Sequence, residues 1–176
     1  MSNLAGKVEV LIAEADLQAR VKALGAEITR DHQNRSLVVV GVLKGSFIFL
    51  ADLVRAIDLP ISIDFIGISS YQGTRSTGVV QITSDLTRPI DGKDVLLVED
   101  IVDTGLSMRY LLDNLATRHP ASVQVCALLE KPSRAVVKVP IHYRGFEIGD
   151  EFVVGYGLDW DGKLRNLPFV GIPRVK

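Results

Sequence analysis

Two hydrophobic rhythms, one helical and one extended, alternate along this chain. Leu17, Val21, Leu24 and Ile28 recur at intervals of four, three and four, with charges between them. That spacing predicts an amphipathic helix from near Ala13 that frays near His32. Leu37 to Val42 is a β-branched and aliphatic run, which predicts a buried strand. A tight loop, Leu43 to Ser46, leads into Phe47 to Ile57, apolar almost all round and therefore expected as a buried helix. Ile61 to Ile68 alternates in part and predicts a strand. Ser69 to Gly78 is polar and rich in Gly, Ser and Thr, so a long loop is expected there. Val79 to Thr83 predicts a further strand, and Asp91-Gly92 a turn.

The stretch from Val95 to Ser107, VLLVEDIVDTGLS, organises the rest. Val95 to Val98 is a continuous apolar run, as in a strand covered on both faces. It is expected to end at Glu99 and Asp100. Met108, Leu111, Leu112 and Leu115 then fall at helical spacing. Ser122 to Leu129 predicts the next strand, so the unit is βαβ with a right-handed crossover. From Ile141 the pattern is irregular, with Phe152 to Tyr156 strand-like and Val170 to Ile172 a short closing strand. Alternating strands and helices predict an α/β fold around a largely parallel sheet. One domain over residues 1–176 is expected. Its core spans roughly 34–140, and the segments before and after it (roughly 1–33 and 141–176) form a small cap over the ligand edge.

The acidic loop sets the chemistry, because ligands of open α/β sheets bind at the carboxyl ends of the strands. Backbone amides from Asp103 to Ser107, with the Thr104 and Ser107 hydroxyls and the permissive Gly105, can form a nest for a phosphate. Glu99 and Asp100 would repel a phosphate and need sugar hydroxyls or a hard divalent cation instead. Leu43-Lys44-Gly45-Ser46 offers amides, a hydroxyl and a cation at a helix start, a second anion site. Neither a P-loop nor a Rossmann fingerprint is present: Gly41 to Ser46 lacks the spacing of the first, and Trp160 stands where Gly155-Tyr156-Gly157 would need its third glycine.

Composition changes little. The net charge of -1 gives no bulk reason to expect nucleic acid or an anionic membrane, and the single cysteine, Cys126, lies in an apolar run and reads as a core thiol. No apolar run approaches the length of a membrane span, and a cytoplasmic protein is the default expectation. His32, His119 and His142 show no metal-ligand spacing and read as surface or satisfied structural residues.

These residues together resemble the type I phosphoribosyltransferases, whose strand, two acids and D-T-G loop bind 5-phosphoribosyl diphosphate (PRPP). The order L-K-G, S-Y, E-D-x-x-D-T-G, Lys131, F-V-V-G-Y-x-L-D and Arg165 is similar to the bacterial hypoxanthine-guanine branch over nearly the whole chain. The resemblance implies transfer of the 5-phosphoribosyl group from PRPP to N9 of hypoxanthine and/or guanine, giving IMP or GMP and pyrophosphate. It implies PRPP contacts from Lys44, Gly45, Glu99, Asp100, Asp103, Thr104, Gly105, Leu106, Ser107 and Arg165. Asp103 becomes the catalytic proton acceptor, and Ser70 and Tyr71 a lid that excludes water. Lys131, Phe152, Val153 and Asp159 become the purine contacts, and Glu99, Asp100 and Asp159 the holders of Mg2+. In the family the Leu–Lys peptide of the L-K-G loop can be cis. Leu106 and Ser46 depart from the family pattern. A homodimer or homotetramer is expected by analogy. Two alternatives stay open: a nucleotide-sensing regulator of the same fold, and the same chemistry on xanthine.

Overall fold

The computed structural model describes residues 7–70 and 80–174. In chain order its elements are β1 (Val8–Ile12), α1 (Glu14–Asp31), β2 (Leu37–Leu43), α2 (Phe47–Ala56), β3 (Ser62–Ser70), β4 (Val80–Ser84), β5 (Asp94–Val102), α3 (Leu106–Ala116), β6 (Ser122–Glu130), a single 3₁₀ turn (Pro132–Arg134), β7 (Tyr143–Glu147) and β8 (Val170–Pro173). Six strands make the main sheet in the order β4-β3-β2-β5-β6-β7. All neighbours are parallel except β3 and β4.

Side chains of a strand alternate between faces, and here both faces are covered. Val39, Leu96, Val98, Cys126 and Leu128 pack with Leu17, Leu24, Phe49 and Leu53 of α1 and α2. Val40, Leu97, Val125 and Ala127 pack with Met108, Leu111 and Leu115 of α3. Double coverage is why these strands read as unbroken apolar runs. Burial pushes the Cys126 thiol well above its ordinary range, so it stays a protonated core group. His32 is buried with Nδ1 on the Ile28 carbonyl, His142 accepts from the Val125 amide, and His119 is exposed.

Four expectations need correction. β5 does not stop at the two acids but runs on through Ile101 and Val102, because β6 keeps pairing with it as far as Val102–Glu130. Phe152–Tyr156 is not a strand: Gly155, Tyr156 and Gly157 all have positive φ (93°, 48° and 104°), which turns the chain back. α2 is not buried all round; Phe47, Ala51 and Arg55 face solvent, because only one side of an outer-layer helix meets the sheet. The irregular region also contains β7, which supplies the sixth strand of the main sheet beyond residue 140. β1 and β8 pair antiparallel as a separate ribbon, joined by the Val154–Gly171 bridge. Among the described residues no helix is long and apolar enough to cross a membrane.

Asp64 braces the edge of the sheet. Its buried carboxylate accepts from the amides of Phe65, Thr87 and Arg88 and from the Thr87 hydroxyl. Desolvation pushes its pKa up, but these donors outweigh it and hold the carboxyl below the usual range. Asp64→Asn should therefore cost about 2–4 kcal/mol of unfolding free energy at neutral pH, since it leaves buried donors short of an acceptor. A group with a lowered folded pKa stabilises above its ordinary value and loses that contribution as pH falls through the folded value. The gap between variant and wild type, read by denaturant unfolding, should close below about pH 4.

Candidate active site

The carboxyl end of β5 carries the two acids and then the D-T-G loop. Glu99 is 8 % exposed. Burial, then the charge of Asp100 and a hydrogen bond between the two carboxyls, pushes Glu99 well above the ordinary carboxylate range. Burial raises Asp100 too, against hydrogen bonds from Glu99 and the Ile101 amide and the positive charge of Arg165. Two acids desolvated side by side mark a functional site and suit a partner that brings positive charge or hydroxyl donors.

Gly105 caps α3 from the left-handed region, with φ at 82°. The amides of Val136 and Val137 both donate to the Thr104 carbonyl at 3.0 Å. A Cβ on Gly105 would lie 2.1 Å from the Val137 carbonyl oxygen. The loop is thus laid directly on the segment that follows the 3₁₀ turn. Glu99, Ile101, Asp103, Thr104, Gly105, Ser107 and Met108 line a small hollow of about 90 Å³, while Leu106 is exposed at the start of α3.

A larger cleft of about 590 Å³, within the usual range for small-molecule sites, adjoins it. Lys44, Gly45, Glu99, Asp100, Ser107, Asp159 and Arg165 line it. The Leu43–Lys44 peptide is cis. Gly45 lies so close to the acids that a Cβ there would meet Asp100 Oδ2 at 1.6 Å. Ser46 does not serve the cleft as expected: it is fully buried, and its hydroxyl donates to the Val42 carbonyl at 2.6 Å. Arg165 reaches the cleft from the C-terminal segment, pairing with Asp159 Oδ1 at 2.5 Å and donating to the Gly157 carbonyl at 2.6 Å.

Lys131 begins where β6 ends, and its amide donates to the Val102 carbonyl at 2.9 Å, so it shares a rim with the D-T-G loop. Its ammonium is buried and donates to the Glu151 carbonyl at 2.7 Å. The next residue, Phe152, is 57 % exposed, whereas Val153 is buried. An ammonium oriented on the carbonyl just before an exposed aromatic residue suits a planar ligand with an acceptor on its edge. Ser70 ends β3, and Tyr71 lies outside the described residues.

Three partners had no signal in the sequence. Arg134 Nε donates to Asp103 Oδ1 at 2.6 Å, the Glu151 carbonyl holds Lys131, and Asp52 accepts from both the Tyr156 hydroxyl and Gln18. Each joins residues far apart in the chain that only the sheet order brings together.

The carboxylates of the cleft also answer whether a divalent cation fits. Glu99, Asp100 and Asp159 all line the cleft and bring hard oxygen donors to it, Asp159 with Oδ1 paired to Arg165 and Oδ2 accepting from the Gly162 amide. Among the described residues no group of three or more such side chains is close enough to cage an ion unaided. That donor set matches Mg2+, which takes one or two carboxylates and completes its shell from water and substrate oxygens.

The phosphoribosyl transferase domain family matches residues 12–161. A hypoxanthine phosphoribosyltransferase of Haemophilus influenzae is 52% identical over 168 residues, covering 93% of this chain and 94% of its own. A hypoxanthine-guanine phosphoribosyltransferase of Mycobacterium avium is 48% identical over 175 residues, covering 94% and 86%. The crystal structure of a hypoxanthine phosphoribosyltransferase from Staphylococcus aureus superposes with a TM-score of 0.93 at 46% identity, covering 98% of this chain and 95% of that one. With its sheet order, acid pair and D-T-G loop, the chain belongs to the phosphoribosyltransferase family, in the branch of the hypoxanthine and hypoxanthine-guanine phosphoribosyltransferases.

Proposed function

We propose that this chain is a purine salvage transferase that moves the 5-phosphoribosyl group of PRPP to N9 of hypoxanthine and/or guanine, giving IMP or GMP and pyrophosphate. One observation carries the reading. Lys131, whose buried ammonium is held by the carbonyl of Glu151 just before Phe152, shares a rim with the D-T-G loop, its amide donating to the Val102 carbonyl. A purine on Phe152 and a ribose phosphate on the loop would be neighbours.

Charge then assigns the roles. As the bond from C1 to the pyrophosphate oxygen breaks, the electron pair leaves with pyrophosphate and C1 becomes cationic. Glu99 and Asp100 hold the ribose hydroxyls and place negative charge near that cation. The amides of Lys44 and Gly45 and the Arg165 guanidinium meet the departing pyrophosphate. The 5-phosphate rests on Asp103 to Ser107, Leu106 contributing only its backbone. N9 attacks C1, and the proton at purine N7 passes to the Asp103 carboxylate. Glu99, Asp100 and Asp159 are the residues that would hold Mg2+, which when bound supplies positive charge against pyrophosphate. Val153 presents its backbone to the base edge, and Ser70 and Tyr71 are the proposed lid. One domain over residues 1–176, assembled as a homodimer or homotetramer in the cytoplasm, without nucleic acid or membrane partners, completes the proposal. Light scattering after size exclusion reads the assembly.

The decisive experiment measures pyrophosphate release from PRPP with hypoxanthine, guanine, xanthine, adenine and uracil in parallel. Release with hypoxanthine or guanine but not with adenine or uracil is expected. Release with xanthine alone would move the reading to that base, and no release with any base would favour the nucleotide-sensing regulator. Lys131 can only donate, so it accepts a 6-oxo group and disfavours a 6-amino one. Lys131→Gln should lower kcat/KM for hypoxanthine about 10- to 150-fold, equivalent to a charge-assisted hydrogen bond of about 1.5–3 kcal/mol. It should also narrow the gap to adenine, because an amide can accept as well as donate.

A further inference from the structure

The turn after β6 carries two side chains that serve the cleft, and the proposed reading uses one of them. Pro132 opens the 3₁₀ turn and the Arg134 amide closes it onto the Lys131 carbonyl at 3.1 Å. Lys131 and Arg134 therefore leave one short, braced piece of backbone. Lys131 points to the Glu151 carbonyl, and Arg134 points to Asp103, 31 residues back in the chain.

The contact is specific in its atoms. Arg134 Nε meets Asp103 Oδ1 at 2.6 Å, and Asp103 is the guanidinium's one hydrogen-bond acceptor among the described residues. Asp150 adds negative charge near Arg134, and its own carboxylate accepts from Ser133 in the same turn. Asp103 Oδ2 has no partner among the described residues. The pair lies at the surface, with the two side chains 46% and 38% exposed. An ion pair that exposed contributes little to folding. What it fixes is direction: a carboxylate held through one oxygen has a defined place for the other.

We propose that Arg134 is a positioning residue for Asp103, holding Oδ1 so that Oδ2 faces N7 of a purine whose 6-oxo group Lys131 holds. The inference rests on the reading of Asp103 as the proton acceptor. One turn then sets both ends of the purine's contact line, the oxygen at position 6 and the proton at N7. A proton acceptor displaced by about an ångström costs on the order of 10²-fold in rate.

The test is a double-mutant cycle on the full-length protein, with steady-state kinetics in PRPP and hypoxanthine and thermal unfolding as a folding control. Arg134→Gln should lower kcat about 10- to 100-fold while KM for PRPP holds within about threefold, because the amides under the phosphate are untouched. Arg134→Lys should recover part of the loss, since an ammonium keeps the charge without the planar fork. In an Asp103→Asn background, Arg134→Gln should change kcat by less than about twofold, because the group it positions can no longer take a proton. Full activity of Arg134→Gln overturns the inference while leaving Asp103's role intact. An equal loss in both backgrounds, with a lowered melting temperature, also overturns it and makes Arg134 a structural tie. Wild-type turnover of Asp103→Asn alone overturns the proton-acceptor reading, and the positioning role falls with it.

Discussion

Asp103→Asn is expected to lower kcat for hypoxanthine by about 10²–10⁴-fold, the span for loss of acid–base assistance. The substitution is nearly isosteric. Its amide keeps an oxygen for Arg134 Nε but cannot take a proton at neutral pH. The loop should keep its shape, because what shapes it is backbone: the Thr104 carbonyl under Val136 and Val137 and the left-handed Gly105. KM for PRPP should therefore change little, and the melting temperature should stay near wild type. Loss in kcat and kcat/KM together is the pattern of an interaction made only in the transition state. Steady-state kinetics with PRPP and each base check it. A variant with unchanged kcat but a much higher KM for PRPP would place Asp103 in phosphate binding. Wild-type turnover would remove it from the chemistry.

The sequence made the layered part of the fold legible, because burial on two faces leaves an unmistakable trace. β2, β5 and β6 appear as unbroken apolar runs, and α1 and α3 appear at helical spacing against them. β7 left no such trace. It is a five-residue edge strand containing Gly145 and the charges Arg144 and Glu147, and only Tyr143 in it is fully buried. The turn at Gly155–Gly157 carries the apolar pattern of a strand, and the φ values that bend it are visible only in the backbone. At the site, the residues of one local motif were legible together: Glu99, Asp100, Asp103, Thr104 and Gly105 line one hollow and its neighbour. The tertiary partners were not. Nothing near Arg134 in the chain points to Asp103, and Ser46, polar and next to the L-K-G motif, spends its hydroxyl on the Val42 carbonyl. The signal that a residue is polar and near a motif does not say which way its side chain faces.

Gly157→Ala is expected to destabilise the protein by on the order of 3–5 kcal/mol, adding the strain of a positive φ to that of a steric overlap. Gly157 has φ of 104°, which L side chains rarely adopt, and a Cβ there would lie 2.0 Å from the Gly45 carbonyl oxygen. Neither neighbour yields freely. Gly45 is itself pressed against the Asp100 carboxylate, and Gly157 donates to and accepts from Arg165 on its other side. Between about 2 and 4 °C of melting temperature accompanies each kcal/mol in a chain of this size, so a drop of about 6–20 °C is expected. Gly162→Ala is the control. Gly162 also has positive φ, at 73°, but a Cβ there meets nothing within 4 Å. It should cost only the conformational part, about 1–2 kcal/mol, and the difference between the two variants measures the overlap. A second readout ties the packing to the cleft. Where Gly157→Ala stays folded at low temperature, its methyl must push the Gly45 loop or the Arg165 turn away from Asp100, and KM for PRPP should rise about tenfold or more. Equal melting temperatures for the two alanine variants would show that the C-terminal turn does not press on the Gly45 loop. The two walls of the cleft would then be positioned independently of each other.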